Sequence, residues 1–210
     1  MKNLVFVIIA VLSVLAISCK KNHEEQIPVA KADYFQLKVG NYWIYQGYNI
    51  DTNGVATPSV EYDSAHIEKD TVIRGFTYYK LLENIFVMFP EQFASYLRDS
   101  SGYLVNSYGQ ILASDFNFTD TLEVIAADPQ LYKGYLQMTG KDSLVTIAAG
   151  TFQSITSSYR IVPSPPNNAN LPIRYTYEMF GKGVGKLKAY SFFFYGGQGM
   201  EGRLVRYKVH

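Results

Sequence analysis

From Ala32 onward, short runs rich in Tyr, Phe, Val, Ile and Thr are broken by Gly, Asn, Asp or Pro about every 8 to 15 residues. Breaks at that spacing leave little room for helices and predict an all-β, mainly antiparallel meander: a curved sheet, a half-barrel or a sandwich, with at most one or two short helices. The clearest hairpin runs from Asn41 to Asn49 and turns at Asp51-Thr52-Asn53-Gly54, where Asn-Gly supplies the positive φ angles a tight turn needs. Its return strand is expected from about Val60. Further strands are expected at Phe76–Glu83, Ser95–Arg98, Tyr103–Val105, 120–126, 135–147, 152–162, 173–180, 184–195 and 202–209. Pro90–Leu97, with proline at a tolerated first-turn position, is the one helix expected. In Arg174–Met179 apolar residues fall on odd numbers and polar ones on even, which gives that strand one wet face. Tyr42-Trp43-Ile44-Tyr45 and Phe192-Phe193-Phe194-Tyr195 are apolar on both faces, so either both faces are covered or one lines a cavity. Trp43 and Phe193 are therefore the candidate ligand-facing aromatics.

The N-terminus is of a different kind. Lys2, an apolar run from Leu4 to Ile17 and the small Ser18 compose a secretory signal, and the run is too short for a bilayer-spanning helix, which needs about 20 residues. Ala16-Ile17-Ser18-Cys19 resembles the bacterial lipobox, which implies cleavage before Cys19 and diacylglycerol on its sulfur. Ala16 stands where Leu is usual. Cys19 is the sole cysteine of the chain, so a lipidated protein has no thiol left for a disulfide, a metal or nucleophilic attack. Residues 1–18 are thus expected as the signal, 19–31 as a polar, aperiodic tether, and 32–210 as a single domain with a core that needs no cross-link. Without Lys2 the basic residues match the 18 acidic ones, and a balanced surface argues against nucleic acid.

No motif compels a chemistry. Gly197-Gln198-Gly199-Met200-Glu201-Gly202 has the spacing of a dinucleotide fingerprint but is followed by strand-like sequence rather than a helix, so it is expected to be a hairpin turn. Gly181-Lys182-Gly183-Val184-Gly185 reads as another turn. Of the three histidines only His66 is embedded in the domain, which removes multi-histidine zinc sites and makes a histidine relay a poor reading. No catalytic residue, metal ligand or cofactor is assigned. Asp followed by Ser or Thr and an apolar residue recurs at Asp63-Ser64-Ala65, Asp70-Thr71-Val72, Asp120-Thr121-Leu122 and Asp142-Ser143-Leu144. This resembles the O-glycosylation sequon of exported Bacteroidota proteins, with Ser64, Thr71, Thr121 and Ser143 as acceptors. The same tripeptide also suits a turn that hands over to a strand.

Four phrases resemble those of Bacteroidota envelope lipoproteins: Tyr34–Trp43, Gly75–Leu81, Ala149-Gly150-Thr151-Phe152 and Gly181–Gly185. The resemblance implies a curved antiparallel sheet similar to the half-barrels of the LolA/LolB-like lipoprotein carriers, whose concave apolar face holds acyl chains, although this chain lacks their clear helices. It carries no assigned activity. The leading expectation is a non-enzymatic envelope lipoprotein with a binding or structural domain, its partners being the membrane through Cys19 and a hydrophobic ligand or another envelope protein. The alternatives are a carrier of lipid or another hydrophobic ligand and a glycan-acting hydrolase. Lys20 after the cysteine favours the outer membrane, and Glu24-Glu25 faintly resembles a surface-export signal. Each buried CH₂ of an acyl chain contributes about 0.8 kcal/mol to membrane binding. Cys19→Ala should therefore leave a precursor or a water-soluble form, read by carbonate-washed membrane fractionation and by loss of incorporated fatty acid.

Overall fold

A computed structural model describes residues 33–84, 92–125, 130–166, 168, 170–193 and 196–210. Its strands are β1 (Tyr42–Ile50), β2 (Ala56–Ile73), β3 (Phe76–Glu83), β4 (Phe93–Ser100), β5 (Tyr103–Asn106) and β6 (Ile111–Ser114), then β7 (Glu123–Ile125), β8 (Tyr132–Ile147), β9 (Gly150–Pro163), β10 (Arg174–Gly181), β11 (Gly185–Phe192) and β12 (Gly199–Lys208). Among the described residues there is no helix. All strands join one antiparallel sheet in the order β6-β5-β4-β3-β2-β1-β12-β11-β10-β9-β8-β7. Two meanders of six strands thus meet where the first strand pairs with the last.

Local chemistry accounts for the turns. Asp51 Oδ1 accepts from the amides of Asn53 and Val55, which closes the first hairpin, and Gly54 takes the positive φ. Arg74-Gly75 and Ser101-Gly102 hold positive φ at both positions, the combination whose twist suits paired strands. The expected helix at Pro90–Leu97 is a strand in its described part. Phe93–Leu97 lies in β4 and pairs from Glu83↔Phe93 to Tyr79↔Leu97, because Ser101-Gly102 folds β4 back on β5 and burial of Leu97 rewards a two-residue period over a helical one. The sheet also closes further than a half-barrel. β2 begins at Ala56 rather than near Val60, and β6, only four residues long, has no counterpart among the expected strands.

The sheet rolls until its β6 edge meets the inner face of β8 and β9. There side chains take the place of a partner strand. Ser157 Oγ donates to the Leu112 carbonyl (2.6 Å), the Ser114 amide donates to Met138 Sδ (3.2 Å), and the Ile111 amide donates to a Glu123 carboxylate oxygen (3.1 Å). Inside the roll a continuous core includes Trp43, Ile67, Leu97, Leu104, Met138, Ile155, Leu187 and Leu204. The segment before β1 enters this core: Tyr34 and Phe35 are buried, and Phe35 meets Phe180 edge-on at 5.5 Å. Fully buried Asn41 fastens that segment, its amide donating to the Gln36 carbonyl (2.8 Å) and its Oδ1 accepting from the His210 amide (3.0 Å).

Ser157→Ala removes the hydroxyl that satisfies the Leu112 carbonyl. The expected cost is about 1 to 3 kcal/mol in denaturant unfolding. Amide exchange should accelerate across β6 and stay unchanged across β1 and β12.

A lumen with an apolar end and a charged end

Between β1–β5 and β10–β11 the core leaves a cavity of about 170 Å³. One end is apolar, walled by Phe35, Trp43, Ala65, Ile67, Leu97 and Phe180. Trp43 is held in place rather than left free to turn, since its indole Nε1 donates to the Val184 carbonyl at 2.6 Å. The Gly183-Val184-Gly185 turn is cut to fit it. Gly185 has φ +95°, and a Cβ there would stand 3.1 Å from the indole ring, so neither backbone nor space admits a side chain.

The other end is charged. Lys186 Nζ lies 2.8 Å from Glu178 Oε1 and 3.2 Å from Glu83 Oε2, and the Tyr45 hydroxyl donates to the Lys186 carbonyl at 3.0 Å. Burial by itself opposes charge on Lys186, yet Glu178 and Glu83 outweigh it and hold the amine well above the usual lysine pKa. Burial is also the main reason that the Tyr45 phenol titrates far above its ordinary range, with Lys186 pulling the other way. A second, smaller pocket shares Tyr45, Ala65, Glu83, Glu178 and Lys186 with this cavity and adds Asp63, Asn84 and Gly202. Asn84 Oδ1 is buried there without a hydrogen-bond partner among the described residues.

The candidates from the sequence separate. Trp43, 4% exposed, lines the cavity, whereas Phe193, 39% exposed, follows β11 and is not among the lining residues. Ser64 and Thr71 are half-buried within β2, Thr121 is exposed in the segment before β7, and Ser143 is exposed beside a bulge in β8. His66 is a half-buried residue of β2. Gly197–Gly202 passes from a turn into β12. Cys19 and the expected signal and tether lie outside the described residues. Among the described residues no three His, Cys, Asp or Glu side chains group to hold a metal ion.

Sequence reasoning missed Lys186, Glu178 and Glu83. The face assigned to solvent in Arg174–Met179 is not the wet one: Arg174, Thr176 and Glu178 are half-buried, Glu178 lines the cavity with Phe180, and the exposed residue is Tyr175 of the opposite parity, while Tyr177 stacks on Tyr190. The signal available was the even-numbered parity that joins Glu178 to Phe180, an acid and a large apolar residue on one face.

No family model matches the sequence, and no curated protein does. Among solved structures, a "putative lipoprotein" from Parabacteroides distasonis superposes with a TM-score of 0.52 over 83% of this chain and 98% of that one, at 12% identity. A "putative exported protein with YmcC-like fold" from Bacteroides fragilis gives 0.47 over 84% and 99%, also at 12% identity. The first shows a shared fold.

Both Tyr45 and Lys186 have folded-state pKa values above their usual 10.0 and 10.5. Such groups stabilise the fold at pH values below those figures, and that stabilisation is lost as pH rises past them. The melting temperature should hold from neutrality to about pH 9 and fall above about pH 10, less steeply in Tyr45→Phe.

Proposed function

We propose that this chain is an outer-membrane lipoprotein, held by lipid on Cys19, whose rolled sheet binds a small hydrophobic ligand in its lumen without transforming it. The observation that carries the reading is the cavity beside Trp43. Pockets for drug-sized ligands span about 300 to 1,000 Å³, and an apolar cavity of about 150 Å³ takes one benzene. A space of about 170 Å³ therefore suits one ring or a short alkyl group, and the carrier reading narrows from acyl chains to small ligands. The covalent lipid serves as anchor, and the lumen serves for binding.

Hydrolysis of glycans fits less well. Two carboxylates, Glu83 and Glu178, do converge on the lumen, but Lys186 stands between them and pairs with both. A glycosidase pair needs an open gap of about 5 to 9.5 Å for the sugar bond. The apolar walls also offer a sugar few hydrogen bonds.

The test uses the whole mature chain carrying Cys19→Ala, which stays free of detergent. Trp43 is the sole tryptophan, so its emission reports the cavity alone. Ethylbenzene should shift that emission saturably, and Ala65→Leu, which fills the cavity, should abolish the response while keeping or raising the melting temperature. Wild-type emission indifferent to ethylbenzene overturns the reading.

A further inference from the structure

We infer that the ligand of this lumen carries a cationic, donor-rich head on an apolar body about one ring in size: an aryl-alkyl ammonium by chemical class. The inference rests on the lumen-binding reading and adds the sign of the head group. It follows from a count of donors and acceptors at the charged end. Lys186 supplies the positive charge there, and Glu178 at 2.8 Å and Glu83 at 3.2 Å already share it. The three groups together carry one net negative charge. A carboxylate or phosphate head competes with these acids for Lys186 and sets a further anion beside two carboxylates, an unfavourable meeting of like charges.

A cationic head meets the opposite situation. Each carboxylate offers about four lone-pair sites, of which Lys186 engages only part, and an ammonium brings three donors. Asn84 Oδ1 makes the case independently of charge. It is an acceptor only, it is buried, and it has no donor among the described residues. A buried acceptor left unmatched lowers stability unless a donor arrives, and Asn84 lines the smaller pocket that shares Glu83, Glu178 and Lys186 with the cavity. Behind this end, Trp43 and Phe180 set the size of the apolar body.

The experiment compares three ligands of one ring each on the whole mature chain carrying Cys19→Ala: phenethylammonium, neutral ethylbenzene and 3-phenylpropionate. Trp43 emission and calorimetry read the affinities. Phenethylammonium should bind about tenfold tighter than ethylbenzene, the gain expected of one charge-assisted hydrogen bond. Glu178→Gln should erase that preference. Asn84→Val should weaken phenethylammonium and raise the melting temperature of the ligand-free protein. Equal affinities for the three, or tightest binding of 3-phenylpropionate, overturns the head-group inference and leaves lumen binding intact. Failure of all three ligands to bind overturns both.

Discussion

An antiparallel sheet this long has two edges to dispose of, and everything inside the roll depends on how the β6 edge is met. An unpaired edge invites pairing with another chain. A closed barrel solves this by strand-to-strand ladders, but here β6 slides under the far end of the sheet. Its backbone is satisfied by Ser157, Met138 and Glu123, side chains of β9, β8 and β7. A side chain reaches farther than a backbone group, so the two ends of the sheet overlap rather than abut. The overlap sets the bore: Leu104 and Ala113 are pressed into the core from one end of the roll, Met138 and Ile155 from the other. What remains between β1–β5 and β10–β11 is the cavity.

The segment before β1 shares in this construction. Carriers with a half-barrel fill the concave face with helices, whereas here Tyr34 and Phe35 enter as an irregular stretch of chain. Irregular backbone in a core must find partners for its polar groups. The Asp33 carbonyl accepts from the Gly183 amide, and Asn41, through its side chain and its own carbonyl, joins Gln36, His210 and Ile67. The two termini of the domain are thereby tied across the β1–β12 seam. That seam is where the two meanders meet, and a chain whose ends pair last depends on contacts of large sequence separation.

Much of the fold was legible because period-two burial and turn chemistry are local. Asn53-Gly54, Arg74-Gly75 and Ser101-Gly102 mark the turns that join β1 to β2, β2 to β3 and β4 to β5. Pro90–Leu97 misled because a first-turn proline and a short apolar run fit either period, and the deciding contact, Leu97 against Tyr79 and the core, is remote in sequence. The site was half legible. Trp43 announced itself as the centre of a doubly apolar strand. Phe193 looked the same in sequence, but it follows the last residue of β11 and escapes the lumen. Lys186, Glu178 and Glu83 come from β11, β10 and β3, elements that meet only once the sheet has rolled, and no spacing in the chain foretells that meeting.

The charged end is also the part of the interior that folding least requires. Buried ion pairs regain in mutual attraction roughly what they lose in desolvation, and apolar replacements of similar volume are often neutral or stabilising. Polar networks with an unmatched member are worse than an apolar core. Glu83, Lys186 and Glu178 form an ion-paired group with Asn84 Oδ1 unmatched nearby, and the apolar end of the same cavity is walled by Trp43, Phe35 and Phe180. Leucine or methionine at these positions would extend that packing and fill the lumen. A cavity persists because the chain places three charges and an unmatched amide oxygen where a filled core would be more stable. That trade of stability for an open, acceptor-rich space is the physical basis for reading the lumen as a site rather than as a packing defect.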